Sequence, residues 1–222
     1  MTAIKTTYAV LVICILCLLI SVNLVNGFSK DSTCGGTHGC WGDCDGGCSF
    51  LLTWMSSGSG VSFKMKTSLS SNADQWAGFG ISTSASMQNA SVSSCLMTSG
   101  SLAPENSYNA ASGNTNSVVS NPTDGLSGLS ADFTNSIMTC ELTRSNTNSD
   151  PEVFDLTTDY YILFAKGTLS GGTKNQHTFT DKTNVLVSFQ STQDLAGSVP
   201  IIKPFTSILI MLSVFQIVLF SM

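Results

Sequence analysis

From residue 50 onward the chain is a succession of short apolar runs separated by Gly, Ser and Asn turns, and none of them keeps a helical period. The clearest run alternates Val61, Phe63, Met65 and Leu69 with Ser62, Lys64 and Lys66, one face apolar and one wet. Strands are expected over residues 50–55, 61–69, 76–81, 92–97, 133–144, 160–166 and 185–190. Gly58-Ser59-Gly60 suits a hairpin turn between the first two. The polar tract at residues 99–130 has room for one or two short strands and reads as a functional or mobile loop. Eight or nine strands at this spacing predict an all-β chain, an antiparallel β-sandwich.

One stretch breaks the simple alternation. In the strand at residues 76–81, Gly78 and Gly80 leave room on one face while Trp76, Phe79 and Ile81 supply apolar surface. Glycines inside a strand mark a place where something approaches closely. A loop of small polar residues, 82–86, then delivers one large soft side chain, Met87.

The two ends of the 222-residue chain read differently from the middle. Residues 6–25 are apolar behind Lys5, and Val25-Asn26-Gly27 offers a cleavage site, so residues 1–27 are expected to be a signal peptide. Residues 205–222 form an apolar run with no basic residue after it. The small residues Ala196, Gly197 and Ser198 precede it, the pattern of a GPI-attachment signal with a short spacer. An ordinary spanning helix is the alternative, and a basic cytoplasmic flank would favour it. The expected organisation is a Cys-rich cap at 28–49, one domain at 50–190, a linker at 191–204 with the candidate attachment site, and the tail. The protein then belongs at the extracellular face of the membrane, or is secreted.

Charge and cysteines narrow the function. A net charge of −5 argues against nucleic acid. Cys14 and Cys17 leave with the leader, so Cys34, Cys40, Cys44, Cys48, Cys95 and Cys140 remain, an even set that reads as three disulfides in an oxidising compartment. Cys95 and Cys140 fall on strands expected to be neighbours and are expected to pair, the other four pairing within the cap. His38 among those four raises a zinc site, but their spacing lacks the paired Cys-x2-Cys knuckle. A c-type haem is excluded because no Cys-x-x-Cys-His occurs, and a hydrolase finds no Gly-x-Ser-x-Gly elbow. The single sequon, Asn89-Ala90-Ser91, makes Asn89 a glycosylation candidate. A glycan there needs Asn89 to face solvent while Met87 faces inward.

The order WAGFGIS, then Met87, then the Cys140, Leu142, Arg144 strand, then YYILFAKG, then an isolated His177, resembles the DOMON domain. That family includes the b-type cytochrome domain of cellobiose dehydrogenase and the extracellular domains of ferric-chelate reductases. The resemblance implies an immunoglobulin-like sandwich with a haem b wedged between loops and the inner strand face, and Met87 and His177 as its axial ligands. Should Met87 not hold that role, Met65 or Met97 is the next candidate. It further implies that Trp76, Gly78, Phe79 and Phe179 line the haem, and that Arg144 and nearby lysines meet its propionates. The function so implied is electron transfer with a separate redox partner, such as a membrane reductase, a metal or ascorbate. A haem-free module for a sugar or other small ligand and a structural surface protein are the alternatives, and each is a binding or spacer role rather than a stand-alone enzyme.

Overall fold

The computed structural model describes residues 27–71 and 73–197; nearly all of the expected leader, Ser198 and the apolar tail lie outside these residues. The described residues form eleven strands and no helix: β1 (Gly39–Asp43), β2 (Phe50–Ser57), β3 (Gly60–Ser68), β4 (Gln75–Ser82), β5 (Ala90–Thr98), β6 (Ser101–Asn109), β7 (Asn116–Val118), β8 (Leu126–Thr134), β9 (Ile137–Ser145), β10 (Tyr161–Ser170) and β11 (Thr173–Lys182). They make two antiparallel sheets, one ordered β1-β2-β3-β9-β8 and the other β11-β10-β4-β5-β6-β7. This is the expected immunoglobulin-like sandwich, with disulfides Cys34–Cys40 and Cys44–Cys48 near its N-terminus.

The period-2 pattern places the core. Phe50, Leu52 and Trp54 of β2, Phe63 and Met65 of β3 and Leu142 of β9 face Ala77, Phe79 and Ile81 of β4, Met97 of β5 and Phe164 of β10. Phe50 stacks on Phe164 with centroids 4.2 Å apart, and Phe63 meets Phe79 at 4.7 Å. Burying each such side chain is worth about 1.5–3 kcal/mol. Cys95 and Cys140 do pair, but across the sandwich: Cys95 lies on β5 of one sheet and Cys140 on β9 of the other, so they are not on neighbouring strands.

Three segments depart from the expected strands. The polar tract contains a full nine-residue strand, β6, because Ser99-Gly100 with positive φ at both positions closes a tight hairpin onto β5. The run at 133–144 is cut by a second such turn, Asn135-Ser136, into the end of β8 and most of β9. Residues 185–190 are not a final strand, for β11 already occupies that sheet edge. Only Val187 makes a bridge, to Tyr160, and Val187 and Phe189 plug the core.

The expected cap and linker are both built into the fold. β1 pairs with β2 along its length, and the chain near 193–197 runs beside β1 through Cys40 N–H to Gln193 O, Leu195 N–H to Cys40 O and Gly197 N–H to Gly42 O. Two of the attachment candidates are thus fixed structure: Ala196 is buried against Cys40, Cys48 and Leu51, and Gly197 donates to the sheet edge.

Candidate functional site

An antiparallel sheet usually keeps one face in water. Here β4 is buried at every position and β5 at nearly all, so their outward face is covered as well. On β4 that face carries Trp76, Gly78 and Gly80, while Ala77, Phe79 and Ile81 point into the core. Register sets Ser94 and Val92 of β5 beside the two glycines on one side, and Ala165 and Leu163 of β10 on the other.

Above this floor of small and branched side chains lies a cavity of about 560 Å³, within the size range of cofactor sites. Met87 and His177 both line it, with Trp76, Gly78, Gly80, Val92, Leu163 and Ala165. The loops 110–115 and 171–172 and the Met87 loop rise around the mouth. Gly80 keeps the floor open: the nearest neighbours of a Cβ there would be Val92 Cγ2 at 3.4 Å and Leu163 at 3.6 Å. Gly78 has another reason, since its Cβ would sit 2.8 Å from Ser94 Cβ and 3.0 Å from the Ser93 carbonyl oxygen.

Met87 packs half-buried on Trp76, Ala165 and Leu169 to one side and Ala90, Val92 and Leu163 to the other. Its loop is pinned from both flanks: Asn109 Nδ2 donates to Met87 O at 2.7 Å, and Lys182 Nζ donates to Ala85 O at 2.9 Å. Asn89, two residues on, is exposed, with φ of 55° and an oxygen that accepts from Tyr108 OH. The loop therefore turns Met87 inward and Asn89 outward. His177 sits on β11 opposite Gly167, and its ring makes no hydrogen bond among the described residues. Trp76 Nε1 is buried there without a partner.

Of the residues expected around a haem, Met87, His177, Trp76 and Gly78 meet at this cavity; Phe79, Phe179 and Arg144 do not. Phe79 is on the inner face of β4. Phe179 is on the inner side of β11, with its ring 5.9 Å from Phe50 and 6.0 Å from Phe164. Arg144 is wholly buried between the sheets, where it donates to Ser91 Oγ (3.2 Å), Ser93 Oγ (3.4 Å) and Phe154 O (3.1 Å). Burial pulls its pKa down to about 10. Met65 and Met97 are core residues, so Met87 alone of the three reaches the cavity. The cavity also lies on the outward face of its sheet, not the inner strand face the resemblance implies.

Sequence reading missed a charged pair at this site. Lys174 Nζ donates to Ser94 Oγ and Ser107 Oγ at 2.9 Å each and stands 2.8 Å from Glu105 Oε1, an ion pair rather than a well-aligned hydrogen bond. It also lies 5.7 Å over the Trp76 ring. Burial lowers the Lys174 pKa and Glu105 partly restores it. Nothing local in either segment announces the pair, because β11 and β6 are four strands apart in the sheet.

The family model for the DOMON domain matches residues 46–167. The chain belongs to the DOMON family. The match takes in the glycine strand and Met87 and ends before His177. No curated protein sequence matches this DOMON chain. Among solved structures, the cytochrome domain of Myriococcum thermophilum cellobiose dehydrogenase resembles it with a TM-score of 0.50, over 76% of this chain and 91% of that one, at 12% identity. That likeness establishes a common fold.

Proposed function

We propose that this DOMON protein is an extracellular electron-transfer domain that holds one haem b in the outer-face cavity, with Met87 and His177 as its axial ligands. The observation that carries the reading is that a thioether and an unbonded imidazole, far apart in sequence, line one cavity over a glycine floor. Gly78 and Gly80 keep that floor flat enough for a macrocycle, and Trp76, Val92, Leu163 and Ala165 exclude water from it. Asn109 and Lys182 fix the Met87 loop in place. Bound there, haem b would be held by Met87 and His177 and would supply a reversible one-electron couple. The Met87 thioether would favour the reduced form and raise the potential relative to two imidazoles. The redox partner is a separate molecule. Three disulfides support an oxidising, extracellular setting. In this reading Asn89 carries a glycan beside the cavity mouth, and the tail directs GPI attachment at Ser198 or later.

Axial-ligand variants test the proposal. His177→Ala is expected to lose most of the haem. Met87→His is expected to keep a six-coordinate spectrum at a lower midpoint potential, since imidazole replaces thioether. An unchanged potential in Met87→His would remove Met87 from the role. A second reading draws on the amides at the rim, Gln88, Asn109, Asn114, Asn116, Asn175 and Gln176, which suit a hydroxyl-rich ligand. Sugar binding by a protein that takes up no haem would put that reading first.

A further inference from the structure

His177 lies on an edge strand whose residues are almost all exposed, held by its ladder to β10 on one side and, toward its C-terminal end, by the Phe179 ring on Phe50 and Phe164. Lys174, three residues before His177, is one of two exceptions, with Asp181. In a flat sheet, β11 and β6 would be about 19 Å apart at the usual strand spacing. Lys174 of β11 nevertheless reaches Glu105 and Ser107 of β6 and Ser94 of β5. A lysine side chain cannot span that gap, so the tip of the β10–β11 hairpin must curl over the outer face.

Two features produce the curl. The β10–β11 ladder shifts register on both sides of Gly167, and bulges bend and twist a hairpin. Gly167 also has no side chain where Trp76 lies against the strand: a Cβ there would be 2.9 Å from Trp76 Nε1. At the tip, Gly171 and Gly172 both take positive φ and close the turn. Lys174 then fastens the tip with three polar partners, its side chain 10% exposed and that of Glu105 15%. His177 pairs with Gly167 at the bulge itself, three residues beyond Lys174.

We propose that Lys174 is a positioning residue: with Glu105, Ser94 and Ser107 it latches the β10–β11 hairpin across the outer face of the sheet and so holds His177 at the cavity. The step from latch to ligand rests on the reading of His177 as an axial ligand. The latch itself does not.

Amide hydrogen exchange on the purified protein, with and without added haemin, separates the two. In Lys174→Met, and in Glu105→Gln, which keeps shape while removing charge, exchange over residues 169–177 is expected to rise about tenfold or more while β3 and β9 stay protected. Lys174→Arg should restore much of the protection. In the haemin-loaded variants the six-coordinate fraction should fall, as it does when an axial ligand is loosened. Unchanged exchange at 169–177 in both variants would overturn the latch, and so would a rise spread evenly over the whole chain. Faster hairpin exchange with the six-coordinate spectrum intact would overturn the positioning of His177. If the unaltered protein takes up no haem while the hairpin loosens in both variants, the latch stands and the haem reading falls.

Discussion

Gly80 shows how a single missing side chain shapes the site. Its φ is in the ordinary range and its Cβ would meet neighbours at contact distance, so a larger residue fits the strand but fills the floor. Gly80→Val is expected to leave thermal stability unchanged or slightly raised and to weaken haem binding about tenfold to a hundredfold, the scale of overpacking a site. A haemin titration beside a melting curve checks both halves. Arg144 makes the opposite case. It faces no carboxylate among the described residues and holds the chain at Phe154 to the β5 hydroxyls, so Arg144→Ala should cost about 3 kcal/mol in urea unfolding. Its haem spectrum should be unchanged, because the guanidinium lies in the core and not at the cavity; a shifted spectrum would count against that placement. These residues also mark what the sequence could reveal. The glycine spacing in WAGFG and the methionine after it were legible locally. Alternation with the glycines puts Phe79 on the opposite face and was legible too, whereas the face of Phe179 was not, since it depends on the register shift between β10 and β11.

At the level of elements, β11 carries most of what sequence reading missed. Its residues TKNQHTFTDK have no apolar alternation, because both faces of this edge strand are largely wet. Residues 185–190 look more strand-like, yet Val185 and Leu186 are 46% and 49% exposed and only Val187 and Phe189 are needed inside. The same strand holds a titration test. Burial raises the pKa of Asp181 above 3.8, with Asp43 adding to the effect. The folded protein thus keeps this proton when the unfolded chain has released it, and stability falls as pH rises from about 3.8 through the folded value. Asp181→Asn keeps an acceptor for Lys182 N–H and carries no such penalty. It should melt about 2 °C higher at pH 7, a small effect because solvent screens a half-exposed group, and the gain should vanish below pH 4. A gain that grows toward low pH would refute this.

For the whole molecule, alternation and cysteine parity were enough to specify a two-sheet sandwich with three disulfides, and the sandwich is what forms. What no local pattern announces is the meeting of distant segments: three backbone hydrogen bonds stitch the chain at 193–197 to β1. The outer-face cavity arises only when two loops and a curled hairpin meet over β4 and β5, and no single segment encodes it. The most direct measurement is an optical titration of the purified protein with haemin, followed by reduction with dithionite. Stoichiometric uptake is expected, with a sharp Soret band and split visible bands on reduction, whereas a spectrum that shows only free haemin at saturation would contradict a haem held between Met87 and His177.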